Sequence, residues 1–379
     1  MLVLSSHTER VNMKLTVKLA DLLPVIQRVS RAVPSRPVEA SMAAILIEIS
    51  KDSSDQAIAT ASAFNGEIAI TGTFPVLVDG DIEVLRPNGL SFLEVLRDLS
   101  SQEVIFELDG NQIKITSGRG KFKIPQLVSG GSNASSFVKP SDTGSVKGSL
   151  FADAVAKVSL AVSKNNTLPV YASMKIEANA DSLRLVGTDR YRLAVAEVPW
   201  VRSFDEDKTL LVPLKSVVEI ARAHAKSDNI ELGFGGTLGS CFGDNILSVF
   251  RITAGDFPTY APLLNGEAKA TAEFDAQEFH SVLKRVSKFN SEHVRISVSR
   301  DTMLVENALA ETGDGSEEFT ITYPQEESFS AAFNPTYLAD AVGSMTGKTK
   351  LSFIAADRPL KLVSDSMPNY THLVMPVNR

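Results

Sequence analysis

A basic-Val-Ser triplet recurs along this chain as Arg28-Val29-Ser30, Lys157-Val158-Ser159 and Arg285-Val286-Ser287, at steps of 129 and 128 residues. A near-constant period of that length means that one folding unit is used three times, and it constrains the fold more than any single motif does. The surroundings repeat as well. Each triplet lies late in an apolar stretch of helical period: Leu22, Leu23, Ile26 and Val29; Phe151, Val155 and Val158; Phe279, Val282, Leu283 and Val286. Asp21 with Pro24, and Asp275 with Glu278, read as start signals for the first and third of these helices.

Pro87, Pro213 and Pro335 open a second helical stretch in each unit, over 90–99, 217–224 and 338–342. A strand pair follows each one: 104–108 with 112–116 around Asp109-Gly110, 230–234 with 246–252, and 350–354 with 360–363. Alternating patterns at 44–49, 174–177 and 294–298 place further strands between the two helices of every unit. The Gly/Ser run Ser129 to Ser136, continued through 140–147, reads as a linker, and Asn265-Gly266-Glu267 as a shorter joint. The expected organisation is α+β, with an extension over 1–12, similar domains over 13–128, 148–264 and 265–379, and a linker over 129–147. At ~150 residues per domain, 379 residues allow two or three, and the period selects three.

Composition removes several function classes. No apolar run reaches the ~18 residues of a membrane helix, and the first twelve residues lack the pattern of a secretory signal. One cysteine, Cys241, rules out an internal disulfide framework and a multi-cysteine zinc site; a packed thiol in a reducing cytoplasm is the expectation. Gly118-Arg119-Gly120-Lys121 fails as a phosphate loop because Ile115 and Phe122 stand where glycine and Ser/Thr are needed, so it reads as a hairpin end. Gly233, Gly235, Gly236 and Gly239 miss the dinucleotide pattern at Leu238 and read as a β-turn. The histidines lack metal-ligand spacing, and no nucleophile elbow is present. No enzyme reading gains positive support, although a triad assembled through space leaves no trace in sequence.

The chain is net acidic, with 38 basic and 45 acidic residues, yet each first helix ends in cations: Arg28, Arg31 and Arg36; Lys157 and Lys164; Lys284, Arg285 and Lys288. Complementing the helix dipole accounts for this on any single helix. Recurrence in all three units adds a second reading, a shared basic surface that holds a polyanion through its phosphates without reading bases.

Three segments then carry a family resemblance: Gly187-Thr188-Asp189-Arg190-Tyr191-Arg192-Leu193-Ala194, Phe257-Pro258-Thr259-Tyr260, and Leu373-Val374-Met375-Pro376-Val377, with Arg36-Pro37 after the first helix. In order and spacing they resemble the bacterial sliding clamps, the beta subunits of DNA polymerase III, from about residue 13 to the last; the Thr-Asp-Arg-aromatic-Arg-Leu form is most similar to actinobacterial members. The resemblance implies three topologically similar clamp domains in a head-to-tail dimeric ring, with helices lining the pore and sheets outside. Twelve helices on a circle at ~10 Å between axes would leave an opening of ~28 Å after ~10 Å of helix thickness is removed, enough for a hydrated duplex.

The resemblance further implies a non-catalytic processivity factor that needs no cofactor and no metal. Its partners would be sequence-independent double-stranded DNA, a second copy of the chain, and the replicative polymerase, clamp loader, repair polymerases and mismatch-repair proteins, engaged through linear peptides. Arg36 and Lys215 match positions that meet DNA phosphates, and Lys164 joins them. Tyr171, Thr188, Tyr191, Arg192, Leu193, Pro258, Leu263, Leu373, Met375, Pro376 and Val377 match a peptide pocket between the second and third domains, and Phe122 matches a dimer-interface position on an edge strand. For Leu193 and Leu373, packing in a strand core is the competing expectation. The chain departs from the family pattern at Pro262, Asn265 and the terminal Asn378-Arg379. A non-replicative paralogue that sequesters clamp partners or inhibitors is the alternative function.

Overall fold

The computed structural model describes residues 14–51, 56–80, 84–127, 139–165, 167–289, 292–307 and 313–377. The 1–12 extension, the linker as far as residue 138 and Asn378-Arg379 lie outside the described residues. The chain divides into two compact units, Met1–Ser149 with Glu219–Arg251, and Leu150–Val218 with Ile252–Arg379. The helices are α1 (Leu19–Val29), α2 (Gly89–Arg97), α3 (Gly148–Ser159), α4 (Leu214–His224), the single turn α5 (Ala261–Leu264), α6 (Ala276–Val286) and α7 (Pro335–Gly343).

The three triplets occupy one structural position, the last turn of α1, α3 and α6 and the residue at its end. Val29, Val158 and Val286 are buried there. Ser30 and Ser159 turn their hydroxyls back onto the carbonyls of Gln27 and Ala156, using acceptors that a helix end leaves over. Asp275 caps α6 as expected, accepting from the backbone N–H groups of Gln277 and Glu278. Asp21 does not cap α1. That helix starts earlier, at Leu19, and Asp21 sits in its first turn. The N–H of Leu19 instead donates to the carbonyl of Gln102 at 2.9 Å, so a tertiary backbone bond replaces a side-chain cap.

In the first unit, α1 and α2 pack together beside a five-stranded antiparallel sheet. Its order is Leu77–Asp79, Lys14–Lys18, Glu103–Asp109, Gln112–Ser117, Gly120–Pro125. Val104, Phe106 and Leu108 alternate inward, and Phe92 of α2 meets Phe106 edge-to-face at 5.7 Å. A second sheet runs Thr143–Val146, Ile230–Phe234, Leu238–Gly243, Ile246–Arg251, Ile68–Pro75, Ala57–Phe64, Leu46–Lys51, so strands from two repeats share one ladder. The joint lies between Ile246–Arg251 and Ile68–Pro75, where Gly72 lets α1 approach. A Cβ at that position would fall 2.4 Å from Ile246 Cδ1 and 2.7 Å from Val25 Cγ1.

In the second unit the eight-stranded sheet has the order Lys208–Pro213, Ser173–Ala178, Ser182–Thr188, Arg192–Pro199, Met367–Val374, Leu360–Ser364, Lys348–Phe353, Ala270–Asp275. Here too strands of two repeats pair directly, Arg192–Pro199 with Met367–Val374. A four-stranded sheet, Gly315–Thr320, Thr302–Asn307, Val294–Ser299, Phe329–Phe333, completes the unit, and α6 packs on α7.

The strand Leu238–Gly243 is missing from the sequence reading. Four glycines in and before it hide its alternation, while Gly235 N–H closes a turn onto Leu238 C=O at 3.0 Å. Cys241 lies in this strand, fully buried, with its thiol pushed up by desolvation, as a packed thiol should be. Gly118 has φ +57° and turns the hairpin between Gln112–Ser117 and Gly120–Pro125, in agreement with the reading of that glycine cluster.

Candidate functional site

The segment Thr188 to Arg192 joins two strands of the eight-stranded sheet by a turn held by its own side chains. Asp189 Oδ1 accepts from the N–H groups of Tyr191 and Arg192, both at 3.0 Å, and Thr188 Oγ1 accepts from Arg190 N–H at 3.1 Å while donating to Arg192 C=O. The buried guanidinium of Arg192 donates to Asp189 Oδ2 at 2.9 Å and to Asp340 Oδ2 at 2.7 Å. Asp340 stands on α7, and the same guanidinium lies 4.3 Å from the ring centroid of Tyr337 on that helix. Asn334 caps α7 by accepting from Tyr337 N–H at 3.1 Å, and Pro335 follows at the first helical position. Tyr337 is thereby set against Tyr191, the rings stacked at 6.3 Å.

Beyond Val374 the backbone stays tied down. Met375 N–H donates to Tyr191 C=O and Val377 N–H to Ala332 C=O, each at 2.8 Å. These elements enclose an open cavity of about 630 Å³, lined by Arg190, Tyr191, Asn334, Tyr337, Met375, Pro376 and Val377, with Glu292 and His293 completing the wall. A cavity that mixes apolar surface, aromatic rings and a few charged groups suits a short peptide better than a compact metabolite.

Tyr191, Met375, Pro376 and Val377 therefore come together on the cavity wall. Leu193 and Leu373 do not reach it. They face each other across paired strands in a core cluster with Val186, Val195 and Tyr260, and the competing core expectation describes them. Thr188 and Arg192 are buried as scaffold of the turn. Tyr171 sits under the Arg190 guanidinium, Pro258 is half-buried, and Leu263 on α5 is 41% exposed; none of the three lines the cavity. The segment carrying Pro258 is held by Tyr260, whose hydroxyl donates to Glu177. Burial first, and then the Glu177 carboxylate, push that phenol up to about 12. Sequence reasoning missed Arg190, Glu292, His293, Asn334 and Tyr337 as wall residues. The Asn334-Pro335 helix start was a readable signal for two of them.

Several helix-end cations are already paired: Arg28 with Asp244, Arg31 with Glu219, Lys157 with Asp153 and Arg285 with Glu317. This corrects the expectation of a free basic surface at those ends; neighbouring carboxylates neutralise them locally. Arg36, in the loop after the Ser30–Ala32 turn, Lys164, after α3, and Lys215, on α4, are exposed and make no ion pair with a described residue. Phe122 is 39% exposed in the middle of Gly120–Pro125, whose outer side carries no strand partner among the described residues. Lys121 and Lys123 flank it.

Three family models match the chain in succession, all of the DNA polymerase III beta subunit: its N-terminal domain over residues 13–131, its central domain over 145–259 and its C-terminal domain over 262–378. The beta sliding clamp of Streptomyces coelicolor is 28% identical over 388 residues, covering 96% of this chain and 99% of the relative. The beta sliding clamp homolog GriR of Streptomyces muensis is 24% identical, with coverage of 96% and 99%. Among solved structures, the DNA polymerase III beta subunit of Thermotoga maritima matches with a TM-score of 0.86 at 23% identity, over 97% of this chain and 100% of that one, a likeness of fold. With a threefold repeat, a three-domain α+β architecture and successive family matches along its length, the chain belongs to the DNA polymerase III beta subunit family, the beta sliding clamps, non-catalytic processivity subunits of replication.

Proposed function

We propose that two copies of this chain close head to tail into a ring around duplex DNA, hold it by confinement, and present the cavity beside Met375 to linear peptides of the replicative polymerase and its accessory proteins. The observation that carries the ring is a pair of sheet edges of opposite charge that have no strand partner among the described residues. Gly120–Pro125 presents Lys121 beside Phe122, with Lys123 near Asp109, whereas Gly315–Thr320 presents Glu318 next to the Glu317 that Arg285 holds. An exposed edge is a template for another strand, and these two match in charge when they belong to different copies. Arg36, Lys164 and Lys215 are the cations assigned to DNA, since no described carboxylate claims them. A clamp loader that opens the ring, repair polymerases and mismatch-repair proteins are the further partners proposed for the cavity. The place of work is the cytoplasm, where replication runs. The domain limits that go with this reading are 13–128, 148–264 and 265–379, except that the end of the expected 129–147 linker is the strand Thr143–Val146, paired with Ile230–Phe234 and so part of the second domain's ladder.

Loading onto nicked circular DNA, followed by linearisation, tests the proposal. A ring stays on the circle at moderate salt and is lost from cut ends; equal retention on both would overturn it. The similarity to GriR favours one second reading, a paralogous clamp that sequesters partners or inhibitors. That protein would bind the same peptides yet fail to extend polymerase processivity on a primed circle.

A further inference from the structure

The last strands of the second and third repeats, Ile246–Arg251 and Met367–Val374, each pair with a strand of the preceding repeat, Ile68–Pro75 and Arg192–Pro199. Both ladders close on one further rung. Arg251 N–H donates to Glu67 C=O at 3.0 Å, and Met375 N–H to Tyr191 C=O at 2.8 Å. Two residues on, Thr253 N–H donates to Leu211 C=O at 2.7 Å and Val377 N–H to Ala332 C=O at 2.8 Å. In the first repeat the corresponding strand is Gly120–Pro125, and Leu127 N–H makes the matching bond to Arg86 C=O at 2.9 Å. Two residues before Leu127, at the place of Arg251 and Met375, stands Pro125, which has no N–H to give. Gly120–Pro125 pairs with Gln112–Ser117 across the turn Gly118-Arg119, with Ser117 opposite Gly120. Backbone groups alternate in direction along an antiparallel strand, so Lys121, Lys123 and Pro125 turn theirs to the outer edge of the sheet.

A second contact is absent from the same edge. Where the second repeat joins the first, Arg28 reaches Asp244, in the turn Asp244-Asn245, at 3.1 Å. The matching turn of the first repeat is Gly118-Arg119, which carries no carboxylate. Arg285, the matching cation of the third repeat, is held by Glu317 of its own repeat. The edge has Phe122 instead, at the hairpin position of Ser248 and His372, both fully buried.

We propose that Pro125 makes the seam between copies the weak joint of the ring, the one that parts when the ring opens. This rests on the ring reading above and deepens it. The two joints within a chain are closed by a backbone hydrogen bond at this rung, whereas Gly120–Pro125 meets the edge of a second copy with no donor to close on. One such bond shifts an equilibrium by a factor of about three to ten. Two seams complete one ring, so separation into single chains feels the deficit twice. An edge proline also discourages open-ended addition of strands, so one residue both guards the single chain and limits the strength of the closed ring.

The test uses the full-length protein with Pro125→Ala, Pro125→Ser and Pro125→Thr, each of which restores the N–H under a different side chain. Dimer dissociation constants are measured by sedimentation at low and high salt, and ring lifetime by escape from nicked circular DNA. All three variants should dimerise about tenfold to hundredfold more tightly than wild type, about threefold to tenfold for each of two seams. Salt should leave that gain intact, because a backbone bond carries no net charge to screen, and escape from the circle should slow. Unchanged or weaker association, a gain confined to one side chain, or a gain that vanishes in high salt overturns the proposal and leaves the ring standing. Aggregation without tighter dimers would mean that Pro125 only protects the edge of the single chain, and overturns it too. Wild type and variants that all stay single at every concentration remove the ring itself, and the weak joint with it.

Discussion

Arg192 and Asp340 meet at 2.7 Å, and this ion pair fastens the turn that borders the cavity to helix α7. Because Arg192 is 6% exposed and also neutralises Asp189, Arg192→Ala would strand a buried carboxylate. A loss of about 3 to 5 kcal/mol is expected from guanidinium unfolding curves, against less than about 2 kcal/mol for Asp340→Asn, whose site is more open. Equal losses would mean that the bond to α7, and not the buried Asp189 pair, holds the turn.

Two buried histidines make stability depend on pH. Burial, aided by Arg28, lowers His224 to about 4, and burial, aided by Arg192, lowers His372 to about 3. Both are neutral in the folded chain, while the unfolded chain protonates near the ordinary value of 6.5. Their contribution is complete above that value and is lost as pH falls through 6.5 toward 4 and 3. Between pH 7 and pH 4.5, His224 alone should withdraw about 2 to 3 kcal/mol. His224→Gln should flatten that part of the unfolding free-energy profile, whatever its effect at pH 7; a profile of unchanged slope would refute the assignment.

For the sheet edges, Phe122→Ala should raise the dimer dissociation constant about tenfold in sedimentation equilibrium, as loss of a buried aromatic does. Lys121→Glu should weaken association several-fold, and Glu318→Lys in the same chain should restore part of it. Additive losses in the double variant would place these residues outside the interface.

Replacing Arg36 and Lys215 together by alanine should lower DNA association and reduce the slope of log K against log salt by up to about 1.8, two phosphate contacts' worth. The measurement is a salt titration on closed circles, and an unaltered slope takes both residues out of the DNA contact.

Met375 and Leu373 are two residues apart and should behave differently. Met375→Ala should cost a polymerase-tail peptide more than about tenfold in calorimetry with little change in stability. Leu373→Ala, which empties part of the core cluster around Leu193 and Tyr260, should cost about 2 to 5 kcal/mol of stability. Matching profiles for the two variants would discredit the division between wall and core.

The contrast also shows what the sequence could carry. Periodicity revealed the helices because Val29, Val158 and Val286 are apolar at a fixed helical phase, which is local information. The pairing of Leu193 with Leu373 spans most of one unit's sequence, and nothing local distinguishes a core leucine from a wall leucine. The start of α1 was misread because a distant carbonyl, that of Gln102, does the work of a cap. The cavity was half legible: Met375-Pro376 lay in a segment that carried the family resemblance, and the Asn334-Pro335 helix start pointed to Tyr337, whereas Glu292 and His293 join it only through folding.

The lysines on either side of Phe122 have a consequence of their own. Two identical Gly120–Pro125 edges meeting antiparallel would bring like charges together, which makes this border a poor match for its own kind and, under the ring proposal, a better one for an acidic edge. Electrostatic repulsion thus disfavours that like-with-like pairing, and it fades as added electrolyte shortens the reach of the charges.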